Sequence, residues 1–410
     1  MEEEQPAGEA SPVALAFGGM VALAAGMGVG RFVYTPILPA MAEVLGLTGG
    51  EAGLIASANF VGYLAGALLA AAPRLPGSRR TWLLGALATG AATTGAMGLV
   101  SSLPAFLALR GVGGAASAFV LVFASALVLD RLAHAGRAGL SALHFAGVGV
   151  GIALSAALVS ALLAAGAGWR ALWLASGAAS LAALAAVALL VPGGTPLRTA
   201  AASLPGTAGG AGRGLVTLAW AYGLFGFGYV VTATFLVAIV RADPGVRPVE
   251  PLVWAVVGVA AAPSVALWSR LATRLGVART FSVACLVEAA GVSASVLWPT
   301  TAGALLAAAL LGGTFMGVTA LGLAGGRRLA AGGDPRRALG LLTAAFGAGQ
   351  IAGPALAGVL HDRTGGFVLP SLLAAGALLA AAATVTRVHL PAAAADGAGR
   401  RAVAVTRGRG

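Results

Sequence analysis

The sequence predicts an all-α membrane protein: twelve transmembrane helices in two pseudo-symmetric six-helix bundles, with N- and C-termini cytoplasmic. Three observations carry this expectation. Of 410 residues 59% are hydrophobic and 9% charged, with a mean hydropathy of +0.94, whereas soluble domains carry about 25% charged residues. The apolar residues gather into runs about as long as a bilayer core is thick, ~20 residues of helix. Landmarks of the first half then recur in the second, about 200 residues later.

The first run, 13–41, follows the acidic head MEEEQPAGEASP. That head has no positive n-region and the run is too long for a signal-peptide core, so it reads as a retained span. Glu51 opens the run 51–73, and the loop RLPGSRRT leads into 81–101. The runs 104–129, 139–165 and 170–191 complete the first half, with Arg137-Ala138 ahead of the second of them. The longest polar break, PGGTPLRTAAASLPGTAGGAGRG, is rich in Pro, Gly and small residues and reads as a flexible cytoplasmic linker. Beyond it lie 215–240, 251–272 after Glu250, 280–298 after RLGVART, 301–326, 338–360 after Arg337, and 367–388. The expected organisation is an acidic N-terminal segment (1–12), a six-helix bundle (13–191), the linker (192–214), a second bundle (215–388) and a basic tail (389–410). Duplication supports the division. GVGRFVYTPIL aligns with GFGYVVTATFL starting at Gly226, Arg137 answers Arg337, and Phe145 answers Phe346.

Charge fixes the orientation. All 25 basic residues are arginine; nineteen fall on the side of the termini. Only Arg170, Arg241, Arg247 and Arg363 fall on the other, with Arg31 and Arg110 inside spans. Positive residues stay on the cytoplasmic side. The net charge of +12 is thereby explained without nucleic acid, and no basic cluster alternates with aromatics on a soluble domain. The single cysteine, Cys285, excludes an intrachain disulfide and a cysteine-rich metal site. Four scattered histidines provide no metal-ligand spacing and no nucleophile–base set, so neither an enzyme nor a cofactor is expected. No nucleotide-hydrolysing motif is present.

At this point the residues resemble the major facilitator superfamily across nearly the whole chain. GMGVGRFVYTPILP together with ASANFVGYLAG is similar to its bacterial YbfB/YjiJ-like branch. The superfamily's loop signature, roughly D-R-x-G-R-R, survives as Arg74, Gly77, Arg79 and Arg80, with Pro73 near the place of the Asp. Its second copy keeps Arg274, Gly276 and Arg279. The helix 4 signature is similar to Arg110, Gly113, Gly114 and Ala115. In helix 5 the antiporter signature G-x-x-x-G-P has Gly147 and Gly151 but Ile152 in place of Pro. The resemblance implies that helices 1, 4, 7 and 10 line a central cavity, that helices 2, 5, 8 and 11 form the seam between halves, and that both arginine loops gate it. Small residues spaced by four support the seam: Gly62 and Gly66, Gly147 and Gly151, Gly258 and Ala262, Gly349 and Gly353.

Arg31 raises the sharpest question, because a charge near the bilayer centre costs ~2.5–3.5 kcal/mol on insertion scales and usually faces a cavity or partner. Tyr34 and Thr35 follow at i+3 and i+4 and share its helical face. The corresponding stretch of helix 7 puts Tyr222, Tyr229 and Thr232 on one face. Two readings stay open for Arg31 and Arg110: cavity-lining ligands, or structural residues that snorkel or bond freed carbonyls. Asn59, Tyr63 and Gln350 are uncharged candidates at the seam, and helix-to-helix hydrogen bonding explains them equally. His144, His361 and Glu288 are the candidates for coupling to a proton.

Two buried cations with no acid on helices 1, 4, 7 or 10 suit an anionic or polar substrate, since a guanidinium grips a carboxylate through two parallel hydrogen bonds. The expected function is secondary active transport of a small organic solute by alternating access, export ahead of uptake, with a proton as candidate co-substrate. The expected setting is the bacterial inner (plasma) membrane, with the lipid bilayer and the solute as partners and a monomer as the working unit. The alternatives are a proton-coupled multidrug efflux transporter and a non-transporting membrane sensor of the same fold.

Overall fold

The computed structural model describes residues 11–72, 75–193, 212–330 and 335–389. Arg74, the acidic head, most of the linker and most of the basic tail lie outside them. The described chain is helical throughout. Its elements are α1 (Pro12–Leu23), a π-helical segment (Ala24–Val29), α2 (Tyr34–Leu45), α3 (Gly49–Ala70), α4 (Arg79–Ala96), α5 (Leu103–His134), α6 (Ser141–Ala164) and α7 (Trp169–Leu190). After the linker come α8 (Arg213–Ala242), α9 (Glu250–Ala261), α10 (Ser264–Leu275), α11 (Val277–Leu297), α12 (Thr301–Leu329), α13 (Pro335–Thr364) and α14 (Val368–Val385).

Ten helical segments are long and apolar enough to cross a membrane, the first being the broken stretch Pro12–Leu45; an eleventh is the pair α9–α10, bent by 45° at its break. α4 stands where the third span is expected. Arg79 and Arg80 at its start and Thr81, Thr89, Thr93 and Thr94 along it leave it less apolar than the others.

Helix ends follow from local chemistry. The Thr48 hydroxyl accepts from the Glu51 amide at 3.1 Å while the Glu51 carboxylate accepts from the Thr48 amide at 2.9 Å, a reciprocal capping box that starts α3. Ser78 and Thr300 cap α4 and α12 in the same sense. The break between α9 and α10 falls at Pro263, which lacks an amide hydrogen for the helical ladder. Beyond it, Ser264 Oγ and Trp268 Nε1 both donate to the Gly313 carbonyl, at 2.9 and 2.6 Å, and tie α10 to α12.

Glycine sets the close packing, though not always where the spacing pointed. A Cβ at Gly62 or Gly66 would run into the backbone of Gly111 or Ala115 on α5, within the first half. Gly147 and Gly151 meet Met20 and Ala24 of the first helix, and Gly349 and Gly353 meet α8. Of the four small pairs expected at the seam, three therefore seat helices inside one half. Only Gly258, against Gly149 and Ala153, joins the two halves. Further close approaches between halves are Gly53 against the Pro354 carbonyl, Gly49 against Gly358 and Gly347 against the Leu64 side chain. In a membrane such contacts supply the dispersion that a hydrophobic effect cannot.

Gly62→Leu drives a side chain into the α5 backbone. It is expected to lower stability by roughly 1–3 kcal/mol, as overpacked cores do, and Gly85→Ala, with open space at its Cβ, to leave the thermal unfolding midpoint in detergent unchanged.

Candidate functional site

The first helix breaks near its middle. At Ala24 it widens into π geometry, where the Gly30 amide donates five residues back to Ala25 at 2.8 Å and the Phe32 amide to Met27 at 3.3 Å. Residues 30–33 form a turn before α2 resumes at Tyr34. Two features favour the break. A Cβ at Gly28 would overlap Gly151 and one at Gly26 would overlap Val120, so glycine is needed for neighbouring helices to approach. Pro36 and Pro39 follow and remove two amide donors from the ladder. The Thr35 amide then bonds the Phe32 carbonyl at 3.2 Å, so the Arg31 carbonyl loses its helical donor.

Arg110 of α5 fills that gap. Its Nη2 donates to the Arg31 carbonyl at 2.9 Å and its Nη1 to the Gly30 carbonyl at 3.2 Å. Its guanidinium carbon lies 5.1 Å from the Tyr34 ring centroid. The Asn59 amide nitrogen donates to the Arg110 carbonyl at 3.0 Å and braces the α5 backbone in turn. Of the two readings left open for Arg110, the hydrogen bonds match the structural one: a cation bound to carbonyls that a broken helix sets free.

Arg31 differs. It is 4% exposed, and its Nε and Nη2 have no hydrogen-bond partner. Aromatic faces surround the guanidinium instead, with its carbon 4.1 Å from the Tyr63 ring centroid and 4.6 Å from that of Phe60. Such contacts contribute ~0.5–2 kcal/mol each and leave the N–H edge unspent. Phe32, next in sequence, packs edge-on to Phe315 of α12 at 5.8 Å and near Trp254 of α9 at 6.5 Å. The arginine's surroundings are thus continuous with aromatics of the second half.

Those aromatics form a set of nearly parallel rings. Tyr229 stacks with Phe315 at 5.7 Å, Phe346 at 5.9 Å and Phe225 at 5.1 Å, while Tyr222 lies 4.7 Å from Phe346. The Gln350 amide donates to the Tyr229 hydroxyl, and the Tyr222 hydroxyl donates to the Thr319 carbonyl at 3.0 Å. The Gln350 carbonyl oxygen, the Thr232 hydroxyl and both carboxylate oxygens of Glu288 are buried without partners. The arrangement offers one free guanidinium edge, a phenol–amide pair and flat apolar walls. That suits a solute with a negative group and an apolar or aromatic body.

Other expected residues are placed elsewhere. Tyr34 and Thr35 are spent on backbone carbonyls: the Tyr34 hydroxyl donates to the Ala52 carbonyl at 2.8 Å and the Thr35 hydroxyl to Ala233 at 2.7 Å. His144 is buried between α6 and α5, 3.1 Å from the Ser125 hydroxyl. His361 stands at the far end of α13 beside Asp362. Arg79 pairs with Asp130 at 2.7 Å and Arg80 donates to the Ala188 and Val191 carbonyls at the end of α7, so both hold the first half to itself. Arg274 and Arg279 are exposed. Sequence reasoning passed over Phe60 and Phe315 as walls; in a chain this apolar, one phenylalanine carries no signal of where it faces.

Comparison with known proteins follows the same lines. A family model described as "Uncharacterised MFS-type transporter YbfB" matches residues 23–386. No curated protein matches the sequence. Among solved structures, a point mutant of the nucleoside transporter NupG superposes with a TM-score of 0.73 at 14% identity, covering 92% of this chain and 99% of that one. A bacterial homologue of the human lysosomal transporter Spinster, inward-facing and occupied, gives 0.67 at 14%, covering 92% and 97%. A second NupG structure gives 0.62 at 15%, covering 92% and 98%. At these identities the likeness is one of fold.

The two buried arginines are expected to respond oppositely to the same change. Arg110→Met strands two carbonyls, at roughly 1–3 kcal/mol each, and should lower the unfolding midpoint markedly. Arg31→Met removes a buried charge whose Nε and Nη2 have no partner and should melt at or above wild type, as read by thermal unfolding of both variants in one detergent.

Proposed function

The chain belongs to the family of YbfB-like MFS-type transporters, and on that premise we propose that it carries a small organic anion across the bacterial plasma membrane as a secondary active transporter. Arg31 is the ligand for the negative group. The single observation behind this reading is a guanidinium 4% exposed whose Nε and Nη2 have no partner. Keeping an unpaired cation in the membrane interior is costly. The cost is offset when an anion arrives, because a carboxylate accepts both parallel N–H groups. Tyr229 and Gln350 supply a second polar contact, Tyr222 and Thr232 extend that face, and Phe60, Tyr63, Phe315 and Phe346 hold the apolar body. Arg110, Asn59, Tyr34 and Thr35 fix the geometry around them.

The twelve-span topology with cytoplasmic termini and two six-helix bundles is part of the same proposal. It draws on the arginine asymmetry and on the repeat at about 200 residues. The cytoplasmic arginines Arg74, Arg79, Arg80, Arg274 and Arg279 belong to the moving inner face, and the chain works as a monomer. Export is the favoured direction. Coupling to a proton has one observation in its favour, the buried Glu288 of α11, whose carboxylate oxygens have no hydrogen-bond partner. With His144 and His361 it is the first place to look in the multidrug-efflux reading. A sensor of the same fold would bind without flux.

Thermal unfolding of the purified chain across a panel of organic anions, neutrals and cations tests the site. Anions are expected to stabilise the wild type, by ~2.7 kcal/mol at a hundredfold excess over the dissociation constant. The shift should vanish in Arg31→Gln while that variant still unfolds cooperatively. Stabilisation by cations alone, or anion shifts surviving in Arg31→Gln, would sink the assignment.

A further inference from the structure

With the proposed topology, the loops that follow α2, α8 and α13 lie on the outer side, and the contacts between the two halves are unevenly distributed. Every side-chain hydrogen bond or ion pair recorded between halves among the described residues lies at the outer end or near mid-depth. Asp362 at the end of α13 accepts from the Gly49 and Gly50 amides of α3, each at 2.7 Å. Arg241 of α8 lies between Glu43 of α2, at 3.8 Å, and Glu250 of α9, at 3.5 Å. The Ser160 hydroxyl donates to the Pro251 carbonyl at 3.3 Å, and nearer mid-depth the Ser57 hydroxyl donates to Ile351 at 2.7 Å. Inner-side charges pair within the first half: Arg79 with Asp130, Arg80 with the end of α7, and Arg131 with the Pro192 and Gly193 carbonyls. Among the described residues, the polar ties between halves thus hold the outer side and mid-depth, not the inner side.

The way Asp362 is used stands out. The first amides of a helix have no partner within it and carry the positive end of its dipole. In α3 the capping box of Thr48 and Glu51 satisfies two of those donors locally. The Gly49 and Gly50 amides remain, and the carboxylate that accepts both comes from the other half of the chain. Glycine is required at 49, because a Cβ there would come within 2.7 Å of Asp362 Oδ1 and His361 Nδ1. At Gly358 a Cβ would overlap the Gly49 carbonyl, so the two helix ends meet backbone to backbone. The titratable group in contact with Asp362 is His361, 3.3 Å away on its own helix, while the Glu51 carboxylate is turned onto the Thr48 amide within the cap of α3.

We propose that Asp362 is the latch of the outer gate: its carboxylate clasps the start of α3 across the two halves and, with the Glu43–Arg241–Glu250 bridge, holds the transporter closed to the outside. This rests on the alternating-access reading. Opening outward must release both amides at once, and the closed state is favoured by charge-assisted bonds found on one face only.

The test uses the full-length chain in lipid nanodiscs with two pairs of spin labels, Val44 with Leu252 for the outer face and Leu189 with Leu275 for the inner. All four positions are exposed, and native Cys285 is buried. In Asp362→Asn the long-distance population of the outer pair should rise roughly tenfold, the scale of one lost charge-assisted bond, while the inner pair shortens. Glu43→Gln should move both pairs the same way by less. An outer distribution unchanged in Asp362→Asn, while Arg241→Gln still interconverts the two faces, would overturn the latch and leave alternating access standing. Widening at both faces together would make Asp362 a general stabiliser and also overturn it. If no variant populates a second state at either face, the alternating-access reading fails with it.

Discussion

Two hydrogen bonds from Arg110 to the carbonyls of Gly30 and Arg31 fix the shape of the first helix, and the rest of the site is arranged around that shape. A broken backbone inside a membrane must have its polar groups satisfied by protein. Here one buried cation does so, and the break it stabilises is what presents the second. Arg31 therefore has its backbone anchored and its guanidinium edge free, cushioned by Phe60 and Tyr63. The two residues are chemically identical and equally buried. One gives two N–H groups to backbone carbonyls, while the other keeps Nε and Nη2 without a partner.

The same division runs through the polar inventory of the interior. Tyr34, Thr35, Ser57 and Tyr222 donate to backbone carbonyls and hold helices together. Arg31, Glu288, Thr232 and the carbonyl of Gln350 have buried atoms with no partner. Unpaired polar atoms at this depth are expensive, and a functional site is the usual place to find them. Among them Gln350 is bonded to Tyr229, whose ring stacks on Phe315, and Phe315 meets Phe32 of the other half.

The fold was legible because its signals are additive along the chain. Apolar runs, arginine breaks and the recurrence of Gly28–Leu38 at Gly226 each survive local exceptions, and the runs overlap the helices the structure describes, though they did not show the interruption of the first helix or the break at Pro263. Arg31 was legible for the same reason, as a charge with no nearby acid. That the Tyr34 and Thr35 hydroxyls would be spent on the Ala52 and Ala233 carbonyls was not, because those acceptors lie 18 and 198 residues away. Arg110 could not be read as the clasp of that turn, since its acceptors lie 79 and 80 residues away. The glycine pairs were found but mostly assigned to the wrong neighbours. Spacing by four says that a helix is approached closely, not by which partner.

The central claim is that the free edge of Arg31 receives an anionic group inside the membrane. Its most direct test is charge displacement on a solid-supported membrane carrying proteoliposomes of the chain. A rapid jump in an organic anion that the wild type binds should produce a transient with the sign of negative charge entering the protein. Arg31→Gln should abolish it, and Gln350→Ala should weaken it. A transient of equal size in Arg31→Gln, or one produced only by cationic solutes, would contradict the claim.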